Sequence, residues 1–526
     1  MVVVLQHSER MQTEERQPVL TGLQPQEPSG RRPRLSPVAQ RALIGVVVGG
    51  IVLGGVLVLL PTREAVPPAP APGSPARAKT AVAAGAPVAL RDLAALIADR
   101  KAHLRAHPRD EQAWAVLGSA YVERARRTAT PAYYPKAEKA LLNSLRSNPM
   151  GNAAALDGLA ALANARGDFR TAKKWGETAL KEAPERWTTY PLLIDAYTGL
   201  GDYKATRKAL EKLQKLRSGP AVKARASRVY WNLGWREDAA ASIADAVVGA
   251  ATPTEQAVFL QQAGDLAWER GDARRSLRYF EAALRADPDE HGARAGQGRA
   301  LAALGRTSEA LRAYRTALAK RPAPRYALEL GELYQRLGLD GEARAQYDLL
   351  RERVRQENAR GVDDELILGL LEADHGDPLV AVERLRAEWK RHPGIPVADA
   401  LGWALHRAGN NEEAITFAMK TMDKEHGGTV RSALYVYHRG QIERDLGLTG
   451  PARRHLTEAL RINPYFSPLL APAAHEALSV LGEPPEEAPP APPTTPAPVV
   501  TPTTPAPVVT PVTPAPAPAP RSSAPR

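Results

Sequence analysis

The sequence predicts an all-α fold, a solenoid of stacked helix hairpins, on three observations. Glycine recurs at nearly constant spacing: Gly264, Gly298, Gly331, Gly369, Gly402 and Gly440 are separated by 34, 33, 38, 33 and 38 residues. Helix-ending prolines keep the same beat, with 35 residues from Pro149 to Pro184 and 34 from Pro288 to Pro322. Pro322 to Pro393 and Pro393 to Pro464 are 71 residues each, close to two units. Third, alanine, leucine and arginine favour helix along the chain, and no stretch sustains the period-two alternation of a half-buried strand. A period near 34 residues means one supersecondary unit repeated many times, each touching its neighbours. Such an array accommodates the 395 residues from 88 to 482, more than a single core usually holds.

The residues around each glycine define the unit. Trp114, Leu117, Gly118 and Tyr121 follow the spacing W-x2-L-G-x2-Y, and that unit closes at Pro149. The cleanest copy runs from His291 to Pro322, with Gly298 and Leu301 on a first helix, Gly305 at the turn, and Ala310, Tyr314 and Ala317 on a second. Leu330, Gly331, Tyr334, Gly338, Ala343 and Tyr347 repeat it; so do Leu401, Gly402, Gly409 and Ala414, then Gly440, Gly447, Ala452, Ala459 and Pro464. This pattern resembles the tetratricopeptide repeat family. Copies beginning near 187, 220 and 362 are degenerate, the last carrying Glu372 where an aromatic is usual. The resemblance implies a right-handed α-solenoid of about ten hairpins over residues 88–482. Each marker has a physical job: Gly298 and Ala310 let two helices approach, Leu301 and Tyr314 fill the space beside them, and Gly305 supplies the positive φ that reverses the chain.

The flanking segments are expected to differ. Residues 1–41 read as a disordered, cytoplasmic N-terminal segment. Residues 42–60 are 19 consecutive uncharged, largely apolar residues, long enough for one transmembrane helix. A cleaved secretory signal is the alternative, but 41 residues precede the run and the run exceeds a typical signal core. Arg31, Arg32, Arg34 and Arg41 before it, against Arg63, Arg77 and Lys79 after it, favour a cytoplasmic N-terminus with the repeats outside. Gly45/Gly49 and Gly50/Gly54 are small-xxx-small pairs suited to dimerisation in a membrane. Residues 61–87 read as a Pro/Ala-rich linker, and 88–107 as a capping helix. Residues 483–526 contain 17 prolines and repeat TTPAPVVTP at 494–502 and 503–511, a disordered tail of stalk-like composition.

Catalytic constellations are scarce. With no cysteine, thiolate nucleophiles and disulfides are excluded. His103 and His107 stand four apart, but no glutamate lies between them and no third ligand is evident, so they read as solvated. Asp363, Asp364 and Glu365 form an acidic cluster at a helix start, favoured there by the helix dipole. No phosphate-binding loop or serine elbow is present. The net charge of +12 arises from 70 basic and 58 acidic residues interleaved along helices, a pattern of solvated faces and not of nucleic-acid binding. The sequence therefore points to no enzyme, no cofactor and no metal.

Function then rests on the surface that the repeats present. The resemblance implies that first helices line a groove for partner proteins. Carried over repeat by repeat, the groove positions are Trp231, Asp265, Trp268, Arg299, Glu332, Gln335, Trp403, His406, Tyr437 and Arg444. Aromatic and arginine side chains are suited to anchoring a partner, although a tryptophan there packs equally well against neighbouring helices. The Lys/Asn carboxylate clamp of some family members is absent, with Ala115 and Ser119 in its place. The expectation is a membrane-anchored interaction scaffold at a bacterial cell envelope, in keeping with an Ala/Arg/Gly-rich composition. The alternative is an accessory subunit of an envelope polysaccharide or secretion enzyme system, binding glycan or the enzyme.

Overall fold

The structure, a computed structural model, describes residues 73–422 and 430–482. Every regular element among them is helical: 23 α-helices and one short 3-10 turn, Pro131–Tyr133. Two helices, α1 (Ser74–Ala84) and α2 (Leu90–Ala106), lead into ten consecutive hairpins. These pair α3 (Glu111–Thr128) with α4 (Tyr134–Ser147), α5 (Ala153–Arg166) with α6 (Phe169–Glu182), and α7 (Thr189–Gly199) with α8 (Tyr203–Leu216). Next come α9 (Pro220–Asn232) with α10 (Arg236–Val248), α11 (Pro253–Glu269) with α12 (Ala273–Ala286), and α13 (His291–Ala303) with α14 (Thr307–Lys320). The last four are α15 (Pro324–Arg336) with α16 (Asp340–Asn358), α17 (Glu365–His375) with α18 (Pro378–Arg391), α19 (Ile395–Arg407) with α20 (Asn411–Lys420), and α21 (Ala433–Asp445) with α22 (Thr449–Ile462). Helix α23 (Leu470–Leu481) packs on α22. The expected number of hairpins and the capping helix are both present.

Two expectations are corrected. A fold that includes a transmembrane helix is not what the structure contains: no helix among the described residues is long and apolar enough to cross a membrane. The run 42–60, with its Gly45/Gly49 and Gly50/Gly54 pairs, lies outside the described residues, as do 1–41 and 483–526. The Pro/Ala-rich stretch 61–87 is also not all linker, because its second part is α1. Pro75 stands in the first turn, where a missing N–H costs no bond, and Gly85 closes the helix at φ 62°. Ala78, 1% exposed, joins Leu93 and Leu96 of α2 in the same cluster.

Hairpin turns follow a local rule written in two residues. At Gly167-Asp168, Gly201-Asp202, Gly271-Asp272 and Gly409-Asn410, glycine takes a positive φ between 70° and 83°. The next side chain caps the second helix by accepting from a backbone N–H three residues on. The Asp272 N–H reaches back to Ala267 O at 3.0 Å, so the outgoing helix satisfies its last carbonyls as the incoming one is capped. Within a hairpin the Ser276 hydroxyl donates to Gly264 O at 2.9 Å, tying the two helices where the glycine brings them close.

First helices of neighbouring hairpins touch each other: α3 with α5, α5 with α7, α11 with α13, α13 with α15, α15 with α17, α17 with α19, and α19 with α21. They therefore form the inner face, and second helices the outer one. The array also meets itself. The Arg353 guanidinium donates to Ala129 O at 2.6 Å across 224 residues, and Arg170 to Lys390 O at 2.6 Å across 220. The Asp363 N–H donates to Arg166 O at 2.8 Å, and the Ile395 N–H to the Tyr203 hydroxyl at 3.0 Å. Asn463 Nδ2 donates to Trp268 O at 2.8 Å across 195 residues. The solenoid thus winds until later hairpins rest on earlier ones about six units back, along a seam of bonds that each use a backbone N–H or carbonyl.

Candidate functional site

The inner face carries charge at its centre. Arg299, on α13, sits between two carboxylates: its Nη2 is 2.9 Å from Glu329 of α15 and its Nη1 is 3.7 Å from Asp265 of α11. Arg325, one turn before Glu329 on α15, pairs with it at 3.0 Å, and the Tyr314 hydroxyl donates to Glu329 at 2.9 Å. Burial works against the Glu329 carboxylate, yet Arg299 and Arg325 hold it below the ordinary glutamate range. Asp265 goes the other way, because burial raises it more than Arg299 and Arg325 lower it. Its side chain is still 39% exposed, and that of Arg325 68%, so water reaches the network. Burial likewise raises Glu269 and lowers the Arg228 guanidinium, which also feels Arg225 and Arg126. Charges from α3, α7, α9, α11, α13 and α15 thus sense one another across the inner face.

The expected groove residues fall into separate groups. Asp265, Trp268 and Arg299 come together: Trp268 is 6% exposed, with the Arg299 guanidinium 5.6 Å from its ring. Trp403, His406 and Tyr437 form a second group on α19 and α21, with ring centroids 4.9 Å and 5.9 Å from Trp403. Trp403 and Tyr437 are 3% and 2% exposed, so these aromatics build the wall and offer no free face. His438 stacks on Trp403 at 4.2 Å and contacts both Asp399 oxygens at 3.0 Å, while the Trp403 indole N–H donates to Asp374 at 3.0 Å. His406 contacts Asn411 at 2.7 Å, and burial lowers its pKa. Glu332 lies 4.0 Å from His375, and Gln335 accepts from the Tyr347 hydroxyl at 3.0 Å. Trp231 stands apart beneath the Arg236 guanidinium, and Arg444 pairs with its neighbour Asp445.

The sequence reading missed Glu329, Arg325, His438 and Asp399. Arg325 and Glu329 carry a legible signal, opposite charges four residues apart on a helix that already held Glu332. The pair of Asp399 with His438 spans 39 residues and has none. The histidines expected to be solvated, His103 and His107, have rings 4.6 Å apart, and His103 contacts Asp110 at 2.7 Å.

Stacked hairpins with touching first helices define a helical-repeat protein. A family model for the tetratricopeptide repeat matches residues 262–311 and 296–358, so the hairpins that carry the Arg299 network are tetratricopeptide repeats. No curated protein matches the sequence. Similar solved structures include a thermophilic tetratricopeptide repeat protein of Thermus thermophilus, at 20% identity and a TM-score of 0.31, covering 35% of this chain and 99% of that one. A tetratricopeptide repeat protein from Parabacteroides merdae is 17% identical at a TM-score of 0.30, covering 50% and 98%. YrrB, described as a repeat protein with an unusual peptide-binding site, is 19% identical at a TM-score of 0.25, covering 35% and 93%. Repeats of this kind are scaffolds for protein partners, and no catalytic family is indicated.

Proposed function

We propose that this chain is a non-enzymatic scaffold that docks a protein partner along the inner face of its solenoid, centred on Arg299, Arg325, Asp265 and Glu329. The observation that carries the reading is the wetted ion-pair network on three consecutive first helices, α11, α13 and α15. A rigid array of fixed charges selects a segment of complementary charge and rejects others, because a misplaced charge there leaves a partner group unpaired. The aromatic residues support this surface from behind. A photo-reactive amino acid at Gln335, which is exposed on α15 six residues beyond Glu329, tests the proposal in the full-length chain. The expected result is a cross-link to one defined protein, lost in Arg325→Glu; undiminished cross-linking in that variant refutes the site.

A cell-envelope location with the repeats on the outer side is a separate proposal that rests on sequence alone, on the proline- and threonine-rich composition of residues 483–526. Protease treatment of intact cells is expected to remove the repeats; their protection refutes it.

A further inference from the structure

We propose that Asp363, Glu388 and His392 form a site for a divalent transition-metal ion that ties the seam between successive turns of the solenoid. Glu388 and His392 lie four residues apart at the end of α18, which puts both on one helix face. Asp363 reaches them from the loop before α17. One ligand atom from each lies within 4.8 Å of the others, a spread that a single ion can span. Glu388 is 4% and His392 7% exposed, so the site is built into the protein and is not a surface cluster. A cleft of about 680 Å³, lined by Asp363, Arg384, Arg391 and His392, gives an ion and its remaining water ligands a way in.

Charge balance favours an ion. Two carboxylates converge, and the resident cation is one guanidinium, Arg391, which is 3.1 Å from Asp363 and also bonded to Glu388. With His392 neutral, as a metal ligand must be, the cluster is one positive charge short, and a dication supplies both charges at once. The Arg391 side chain is 43% exposed and borders the cleft, so it can swing outward as the ion enters. An imidazole with two carboxylates suits zinc and its first-row neighbours better than calcium or magnesium, which prefer oxygen alone.

The position gives the ion a structural consequence. The Asp363 N–H is bonded to Arg166 O, and the His392 ring meets Phe169 edge-on at 4.9 Å, both contacts from α17–α18 back to α5–α6. An ion joining Asp363 to α18 therefore stiffens the segment on which two turns rest.

The test is calorimetric titration of the metal-stripped full-length chain with zinc chloride, together with thermal unfolding. One site per chain and a raised melting temperature are expected. His392→Ala and Asp363→Asn should each weaken zinc binding at least tenfold. Arg391→Met, which removes the competing cation and no ligand, should tighten it. Where a ligand variant fails to fold, cobalt substituted into the unaltered chain must show the absorption of a site with one nitrogen and mixed oxygen donors. No zinc binding, binding lost in a His103→Ala/His107→Ala variant but kept in His392→Ala, or weaker binding in Arg391→Met overturns the proposal.

Discussion

A methyl group on Gly264 would stand 2.6 Å from Cε1 of Phe280, closer than packed carbon atoms come. The same meeting recurs sixteen residues on at Gly298–Tyr314, Gly331–Tyr347, Gly369–Leu385 and Gly440–Leu456. At these five hairpins the glycine beat records where the second helix lays a large side chain on the backbone of the first; at Gly402 the backbone of the second helix itself comes close, with Ala414 O and Ala418 N at 3.2 Å from such a methyl.

Replacing Gly331 by alanine tests that reading. The new methyl would lie 2.8 Å from Cδ1 of Tyr347, a residue only 5% exposed, and the ring has nowhere to move. Overpacking should lower the unfolding free energy by about 2 kcal/mol in urea denaturation, against the roughly 0.5–1 kcal/mol that alanine gains over glycine inside a helix. A second change, Tyr347→Leu, should recover part of the loss.

Arg299→Met should destabilise the chain by about 2 kcal/mol at pH 7, since Asp265 loses its ion pair and Glu329 keeps Arg325 as its remaining one. The sign with pH follows from the lowered folded-state pKa of Glu329. Its contribution is fully present above the ordinary value of 4.5 and disappears as pH falls through the depressed one. The gap between variant and parent should therefore narrow on acidification. Thermal unfolding from pH 7 to pH 3.5 measures it, and a gap that widens would falsify the assignment.

His291 offers a second, independent pH test. Burial first, then Arg321 and Arg127, lowers its pKa from 6.5 to about 3. The unfolded chain takes up the proton near pH 6.5 while the folded one refuses it, so this stability is complete above pH 6.5 and is lost on the way down to 3. The loss between pH 7 and 5 should reach up to about 2 kcal/mol by linkage. His291→Gln should flatten the profile in that window.

Asp399→Ala removes the contact that His438 makes with its ring, both groups being less than 4% exposed. His438 Nε2 has no partner either, so the imidazole would be left wholly unsatisfied beneath Trp403. A cost of about 3 kcal/mol is expected, with a red shift in tryptophan emission as Trp403 becomes wetted. Unchanged emission would argue against the stacked arrangement.

Gly201→Ala addresses the seam. A side chain there would strain a φ of 70° and lie 3.0 Å from Pro393 C. Small-angle scattering should show a larger radius of gyration than the parent, and amide exchange should rise at Ile395, whose N–H bonds to Tyr203. Identical scattering curves would mean that the two turns do not depend on this contact.

What was legible in the sequence was local. The glycine beat located the first helices because it reflects contacts inside a hairpin, and Gly305, Gly338 and Gly409 located turns through their positive φ. Asp265 and Arg299, carried over from the family spacing as groove positions, meet in an ion pair because that spacing maps onto helix faces. Trp268 and Trp403 were harder: an indole at an inner position packs on a neighbour or faces water, and only the presence of Arg299 or His438 above it decides. Helix α1 was hidden by proline content, although Pro75 in the first turn and Gly85 at the end are ordinary helix boundaries. The seam had no local signature, since Asn463 meets Trp268 through the pitch of the whole winding.

The seam also changes how such a chain comes apart. An open array of repeats behaves as a one-dimensional string, able to fray from either end because each unit depends only on the next. Here Ala129 holds Arg353, and Trp268 holds Asn463, so a terminal hairpin cannot melt without breaking bonds to a hairpin near the middle. Contacts of such long sequence separation slow folding, because loop closure precedes their reward. They also couple distant units into one cooperative transition. This protein should unfold as a block, where its repeat pattern alone would suggest a zipper.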